Sequence, residues 1–335
     1  MTSTSLSLRC IGRRADTHDV TSWQFVATEG TLPPVLAGQC VTLHTEIDGQ
    51  PLCRAYTLSS SPQDACWQVT IKDVGLVSHH LHQSLQVGDE IRADGPFGDF
   101  NLTALPCERP LLLSAGSGIT PMWAMLRDEL ARRPDADIRF VHSARSPQDV
   151  IFADELAALA EAHAGLRHAL VLERVPERVL EEAPAAHPWV GRLTPSMLKE
   201  LAPDLLGRHV YLCGPAPYMA AVSTILAELG LPATQLHQES FGLPEAAPVA
   251  AGGDHFWLTL KKSGKKVKIL PGQTLLAALE GAGETMMAAC RAGVCGACRC
   301  TTTGEIERQS VVTLSPQDLE SGIALACSCT ARGDV

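Results

Sequence analysis

"LLLSAGSGITPM", Leu111–Met122, decides how most of the chain folds. Three leucines and a small pair read as a strand buried on both faces, and Gly-Ser-Gly then turns it into a helix. Gly116 and Gly118 leave the backbone bare enough to approach a pyrophosphate at that helix's N-terminus. Pro121 suits the first helical position, where a missing N–H costs nothing. The third glycine of the usual dinucleotide fingerprint is absent, so the stretch alone is also compatible with an ordinary strand-to-helix turn. Its surroundings sharpen it. From about Leu105 the short apolar runs "PLLLSAG", "IRFVHSA" and "HVYLCG" alternate with the helical patterns "PMWAMLRDELARR" and "FADELAALAEAHA". That alternation predicts a parallel sheet covered by helices on both faces.

Upstream, the chain reads as β structure. "CVTLHTEI", "RAYTLSS" and "WQVTIKDV" are rich in β-branched residues and bounded by turn formers. One helix is expected over "HHLHQSL", with Ser78 as its cap. Downstream, "GLPEAAPVAAGGD" (Gly242–Asp254) has linker composition. Beyond it, "HFWLTLKKSGKKVKIL" predicts a hairpin turning at Ser263-Gly264, followed by a helix in "TLLAALEGAG". Charge divides at the same place. Residues 1–254 carry 18 Lys and Arg against 30 Asp and Glu, whereas residues 255–335 carry nine against seven. The tail is therefore a separate unit.

Within the tail, Cys290, Cys295 and Cys298 follow a C-x4-C-x2-C spacing, with Cys327 in "ALACSC" as a distant fourth. This is the plant-type [2Fe–2S] spacing, in which four thiolates complete two iron tetrahedra. Gly293 and Gly296 let the loop wrap closely and leave backbone N–H groups for the sulfurs. A zinc knot from Cys295, Cys298, Cys327 and Cys329 is the competing reading, but it gives Cys290 no purpose. Cys300 and Cys329 are read as packed free thiols. The histidines of "SHHLH" (His79, His80, His82) lack the i, i+4 spacing that would bring two onto one ion.

Composition bounds the rest. At 335 residues the chain holds two or three domains, and 45% apolar with 4% aromatic residues is ordinary for a soluble globular protein. A net charge of −10 argues against nucleic acid as partner. No apolar run approaches the ~20 residues of a membrane span, and "MTSTSLSLRCIGRR" has no apolar signal core. A cytoplasmic location is expected, where clustered cysteines serve as metal ligands rather than disulfides.

Four stretches in order, "RAYTLSS" (Arg54–Ser60), "GPFGDF" (Gly95–Phe100), "LLLSAGSGITPM" and "CGPAPYM" (Cys213–Met219), resemble the ferredoxin–NADP⁺ reductase family over about residues 5–242. Residues 255–335, with "ACRAGVCGACRC" and "LACSC", resemble a plant-type ferredoxin domain. The resemblance implies a multidomain chain. An antiparallel β-barrel flavin domain (1–104) and an α/β parallel-sheet nucleotide domain (105–242) would precede a linker (243–254). An α+β, β-grasp ferredoxin domain (255–335) would follow. It implies FAD, held by Arg54, Ala55, Tyr56 and Thr57 and by a second diphosphate loop at Gly75, Leu76, Val77 and Ser78. Gly116, Gly118 and Thr120 would take the pyrophosphate of NADH, with Gly214 and Pro215 in the second turn and Arg145, in "HSARSPQDVIF", beside the adenine ribose. Thr57 near the flavin ring, Cys213 near the nicotinamide, and Phe241 covering the flavin, with Glu239 beside it, would border the reacting atoms.

The activity implied is NADH-dependent electron transfer. Hydride passes to the flavin, and single electrons pass through the cluster to a protein acceptor. "SPQDVIFAD" (Ser146–Asp154), "CGPAPYM" and the C-terminal ferredoxin order are most similar to the reductases of the hybrid cluster protein. Reductase components of Rieske-type oxygenases, hydroxylases and fatty-acyl desaturases share these parts. A reading of another class is a redox-sensing or zinc-binding regulatory module on a degenerate reductase. The intact flavin and nucleotide motifs weigh against it.

Overall fold

The computed structural model describes residues 4–176, 189–241, 255–284, 286, 288, 293, 296, 298–309, 314 and 316–335. The expected linker 243–254 and two expected ligands, Cys290 and Cys295, lie outside these. The chain divides into two compact units: Met1–Leu52, Tyr56–Pro96 and Phe100–Ser240 form one, and Cys53–Ala55, Phe97–Asp99 and Phe241–Val335 the other.

The first large sheet contains β1 (Thr4–Ala15), β2 (Val20–Ala27), β3 (Cys40–Ile47), β4 (Gln50–Thr57), β5 (Trp67–Lys72) and β6 (Glu90–Phe97), in the order β4-β3-β6-β1-β2-β5. Its pairings β1·β2, β1·β6 and β2·β5 are antiparallel, as the resemblance implies. Alternation along β5 sends Trp67, Val69 and Ile71 into a core with Trp23, Phe25, Leu43 and Leu58, while Gln68, Thr70 and Lys72 point the other way. Helix α1 (Leu76–Ser84) lays Val77 and Leu81 on that core. It starts earlier than expected. Ser78 sits two residues inside it, and its Oγ accepts from the backbone N–H of Gly75 at 2.9 Å and of Val74 at 3.0 Å. Ser78 therefore ties the turn down from within the first helical turn rather than from the cap.

The second sheet is wholly parallel: β7 (Pro110–Ala115), β8 (Ile138–Ala144), β9 (Leu166–Leu172), β10 (Trp189–Val190), β11 (His209–Cys213) and β12 (Leu236–Glu239), in the order β10-β9-β8-β7-β11-β12. Every residue of β7 is buried, as in a central strand covered on both faces. Leu112 faces a core shared with α2 (Ile119–Arg132) and α3 (Ala153–Ala162). Leu111 and Leu113 face the opposite core, with α4 (Pro195–Leu201) and α5 (Ala216–Glu228). Pro121 is the third residue of α2, not the first, because Ile119 already has helical backbone after a 3₁₀ turn at Gly116–Gly118. It still lies among the first amides, which have no helical acceptor.

An ion cluster pins the N-terminal edge of this sheet. Arg208, fully buried, donates to Asp137 at 2.7 Å and Asp204 at 2.8 Å. Arg109 reaches Asp137 at 2.8 Å, and Arg139 reaches Asp204 at 3.1 Å. The antiparallel sheet is joined to α2 and α3 by Arg127, which grips Asp64 with both nitrogens (2.6 and 2.8 Å), and by Arg14, 2.6 Å from Glu155.

The second unit is α+β. The hairpin β13 (Phe256–Thr259) and β14 (Lys266–Ile269) turns near Gly264, which has φ +70°, as the Ser-Gly pair predicts. Helix α6 (Leu275–Gly281) follows, and its cap Thr274 accepts from Ala277 N–H at 3.2 Å. Strands β15 (Arg299–Thr301) and β16 (Ile306–Arg308), helix α7 (Pro316–Glu320), and strands β17 (Ile323–Leu325) and β18 (Cys329–Ala331) complete the unit. Leu258, Val267, Ile269, Leu275 and Leu325 share one small core with Cys298 and Cys327.

Candidate functional site

In the parallel sheet, β7 is followed in sequence by β8 on one side and flanked by β11 on the other. The crevice beyond their carboxyl ends is where open α/β sheets bind ligands. Two turns meet there. Gly116, at φ +50°, bends the chain away from β7 with open space around its α-carbon. Gly118 lies against the end of β11, and Gly214 packs under Tyr218 and Ala115. The buried Thr120 hydroxyl donates to Ser117 O at 3.1 Å, holding the turn closed.

These turns border a cleft of about 300 Å³. Ala115, Gly116 and Pro215 line it together with Ser143, Arg145 and Asp149 from the end of β8 and with Tyr218 from α5. Asp19 and Lys72 of the antiparallel sheet close its mouth. The hydroxyls of Ser143 and Tyr218 are buried in its wall close to one another, and neither has a hydrogen-bond partner elsewhere among the described residues. Burial pushes the Tyr218 phenol well up, so it is a neutral donor. Buried polar groups normally find partners. Ribose hydroxyls and phosphates are groups of the kind that would satisfy these two, so the cleft fits a dinucleotide.

Beneath the cleft floor the charges are switched off. His142 is fully buried beside Ser114 (Nδ1 to Oγ, 2.9 Å), and burial pulls its pKa down to about 4. Cys213, at the end of β11, is fully buried and its thiol is pushed well above the usual range, first by burial and then by the charge of Glu239. It is a neutral packing group, not a nucleophile.

The residues expected at the flavin do not line this cleft. Arg54 stands on β4, and its Nη1 donates to the Cys53 carbonyl at 2.8 Å, with no carboxylate partner among the described residues. Tyr56 packs on the barrel core, and Thr57 is 5% exposed. Ala55 lies between Arg54 and Tyr56 on the same strand. At the start of α1, Gly75 has extended backbone and Leu76 is 65% exposed, and the amides of Leu76, Val77 and Ser78 have no acceptor within the helix. A guanidinium without a carboxylate partner and helix-start amides without a helical acceptor are each of the kind that suits a phosphate. Glu239 is buried opposite Cys213 in the register of β11 and β12, and Phe241 is 43% exposed.

In the second unit, Cys298 Sγ and Cys327 Sγ lie 3.2 Å apart, and neither is in a disulfide. Gly293, at φ +73°, donates its N–H to Cys327 Sγ at 3.2 Å, and Cys327 N–H points at Cys298 Sγ from 3.5 Å. Converging sulfurs fed by backbone N–H groups fit a metal–sulfur centre. Cys300, on β15, is pushed up to about 11, mainly by burial, and Cys329 is fully buried and likewise raised.

Three contributors to the cleft were missed in the sequence. Asp19, on the turn between β1 and β2, and Lys72, the last residue of β5, belong to no motif, so nothing local marks them. Tyr218 lay in plain view inside "CGPAPYM", and a lone tyrosine one helical turn past a Gly-Pro turn was the available signal.

Comparison with known proteins bears on the whole length. Residues 15–102 match the family described as Oxidoreductase FAD-binding domain, 112–224 Oxidoreductase NAD-binding domain, and 258–332 2Fe-2S iron-sulfur cluster binding domain. The glycine betaine monooxygenase reductase subunit of Chromohalobacter salexigens is 35% identical, covering 98% of this chain and 94% of its own. The NADH oxidoreductase HCR of Escherichia coli is 34% identical, covering 90% and 88%. Among solved structures, an intact type IV self-sufficient cytochrome P450 monooxygenase aligns with 98% of this chain and 40% of its own, at 26% identity and a TM-score of 0.74. No helix among the described residues is long and apolar enough to cross a membrane. The chain belongs to the ferredoxin–NADP⁺ reductase family of flavoprotein oxidoreductases, in the branch that carries a plant-type [2Fe–2S] domain at its C-terminal end.

Proposed function

We propose that the chain is the reductase component of a monooxygenase, drawing electrons from NADH and delivering them singly to an oxygenase partner. The observation that carries this is the end-to-end match to a glycine betaine monooxygenase reductase subunit, which leaves almost no part of either chain unaligned. Delivery to a hybrid cluster protein is the second reading, favoured by the shorter match to NADH oxidoreductase HCR.

Bound FAD and the [2Fe–2S] cluster supply the redox chemistry, splitting a hydride's electron pair into single electrons. The chain binds and orients. Arg54 and the amides of Leu76, Val77 and Ser78 hold the flavin diphosphate, and Tyr56 and Thr57 offer hydroxyls to the ring. Gly116, Gly118 and Thr120, with Gly214 and Pro215, cradle the NADH pyrophosphate, while Ser143 and Tyr218 meet ribose. Cys213 and Glu239 border the reacting end without exchanging protons, since hydride transfer needs no base, and Phe241 shields it from water. Cys290, Cys295, Cys298 and Cys327 hold the cluster.

The test is reduction of a purified acceptor by NADH through the holoprotein. The oxygenase component of a glycine betaine monooxygenase and a hybrid cluster protein are offered separately. The higher kcat/KM is expected with the oxygenase. A higher value with the hybrid cluster protein moves the assignment to the second reading, and transfer to neither overturns both.

A further inference from the structure

Across the mouth of the cleft, the two large sheets are tied through one guanidinium. Arg145 Nη2 donates to Asp149 Oδ1 at 2.6 Å, within its own loop, and to Asp19 Oδ2 at 3.1 Å, on the turn between β1 and β2. The same Asp19 oxygen lies 3.2 Å from Lys72 Nζ, at the end of β5. The remaining carboxylate oxygens are also used: Thr17 Oγ1 donates to Asp19 Oδ1 at 3.0 Å, and Ser146 Oγ to Asp149 Oδ2 at 2.5 Å. All four charged groups line the cleft. Two cations therefore face two carboxylates, and the mouth offers no uncompensated positive charge from this set.

Arg145 and the two carboxylates are ionised at neutral pH. Burial alone would raise the two carboxylates, but hydrogen bonds from Lys72 and Thr17 to Asp19, and from Ser146 and Arg145 to Asp149, leave both below the usual range. Burial would likewise lower Arg145, and the two aspartates outweigh it.

Arg145 is one of the cations lining the cleft that an anionic dinucleotide would enter, and its Nη2 is already shared between Asp149 and Asp19. We infer that Asp19 is a positioning residue that weakens dinucleotide binding by competing for Arg145, and that this competition selects against a dinucleotide bearing an additional phosphate. The inference rests on the reading of the cleft as the pyridine-nucleotide site. The physics is competition for one guanidinium. Ligand phosphate must share a guanidinium whose Nη2 is already taken and whose charge is already compensated, so the net gain is small, and Asp19 lies near the new negative charge. A phosphomonoester adds about two further charges and suffers most from that neighbour. The pair also spans both sheets, so its exchange couples nucleotide arrival to the separation of the two.

The experiment measures dissociation constants of NAD⁺ and NADP⁺ by titration calorimetry on the flavin-loaded full chain. The proteins are the unaltered chain, Asp19→Asn, Arg145→Gln and the double variant. Asn keeps the size of Asp and can accept from Thr17, so flavin content and melting temperature serve as checks on folding. Asp19→Asn is expected to tighten NAD⁺ binding about two- to fivefold, the worth of one partly exposed ion pair, and NADP⁺ binding by about tenfold. The limiting rate of flavin reduction by NADH should move less than the affinity does. In the Arg145→Gln background the effect of Asp19→Asn should vanish, which is the coupling a double-mutant cycle isolates. Unchanged constants in Asp19→Asn, when the unaltered chain binds NAD⁺, overturn this inference alone. An effect that persists without Arg145 overturns it too, and assigns the change to Lys72. Failure of the unaltered chain to bind either nucleotide overturns the reading of the cleft itself.

Discussion

Gly118 and Cys213 are in backbone contact: a Cβ placed on Gly118 would lie 2.4 Å from the Cys213 carbonyl oxygen and 2.6 Å from the Gly214 nitrogen. The turn after β7 and the turn after β11 thus close on each other at one point. Gly118 has ordinary helical backbone, so glycine is required there by space and not by φ.

Gly118→Ala should therefore push the two turns apart. The expected cost is about 1–3 kcal/mol of stability, as for an overpacked site. NADH affinity should fall while flavin content is retained, because the flavin-binding strand is elsewhere. Thermal melting and NADH titration of the purified variant check it, and an unaltered KM for NADH would show that the two turns can separate freely.

The cluster reading makes a contrast among neighbouring thiols. Cys298→Ser and Cys327→Ser should lose iron and acid-labile sulfide, whereas Cys300→Ser and Cys329→Ser should keep both. The contrast follows from the 3.2 Å approach of Cys298 and Cys327, set against the spare pair that burial keeps protonated. Iron and sulfide analysis, with the visible spectrum, decides it. Loss of cluster in Cys329→Ser but not Cys327→Ser would exchange their roles.

Acid stability should report the ion cluster at the edge of the parallel sheet. Hydrogen bonds from Arg208 hold Asp204 far below the ordinary carboxylate range. A depressed carboxylate stabilises the fold above its unfolded pKa of about 3.9, and that stability is lost as pH falls through the folded value. Asp204→Asn should cost about 3 kcal/mol at neutral pH, since it strips a partner from a fully buried guanidinium. The difference in melting temperature between variant and parent should narrow as pH drops below about 4. A gap that is constant with pH would mean that the hydrogen bonds, not the charge, matter at this position.

Much of the architecture was legible from local pattern. "IRFVHSA" and "CVTLHTEI" correspond residue for residue to β8 and β3, because an apolar or alternating run carries its own burial pattern. Thr4–Ala15, the longest strand, was not read, since "TSLSLRCIGRRA" mixes charge into a strand whose pairing comes from distant partners. Ser78 was placed at a cap by its residue type, whereas Gly75 took that position. The serine hydroxyl could reach back to Gly75 from inside the helix, and sequence does not rank those two arrangements. The glycines of the nucleotide turn were visible because steric need leaves a residue-type signature. Asp19 was invisible because its partner, Arg145, is 126 positions away and either residue alone is an ordinary surface charge.

The wholly parallel order of the second sheet bears on how such a reductase acquires attachments. With every strand pointing the same way, β12 ends at the rim where β7 and β11 end, and its last residue, Glu239, is the register partner of Cys213. The polypeptide leaves this sheet beside the working crevice, not at the far side. A segment appended after Glu239 therefore starts from the rim where β7 and β11 end, and joining it there needs no rerouting of the parent sheet.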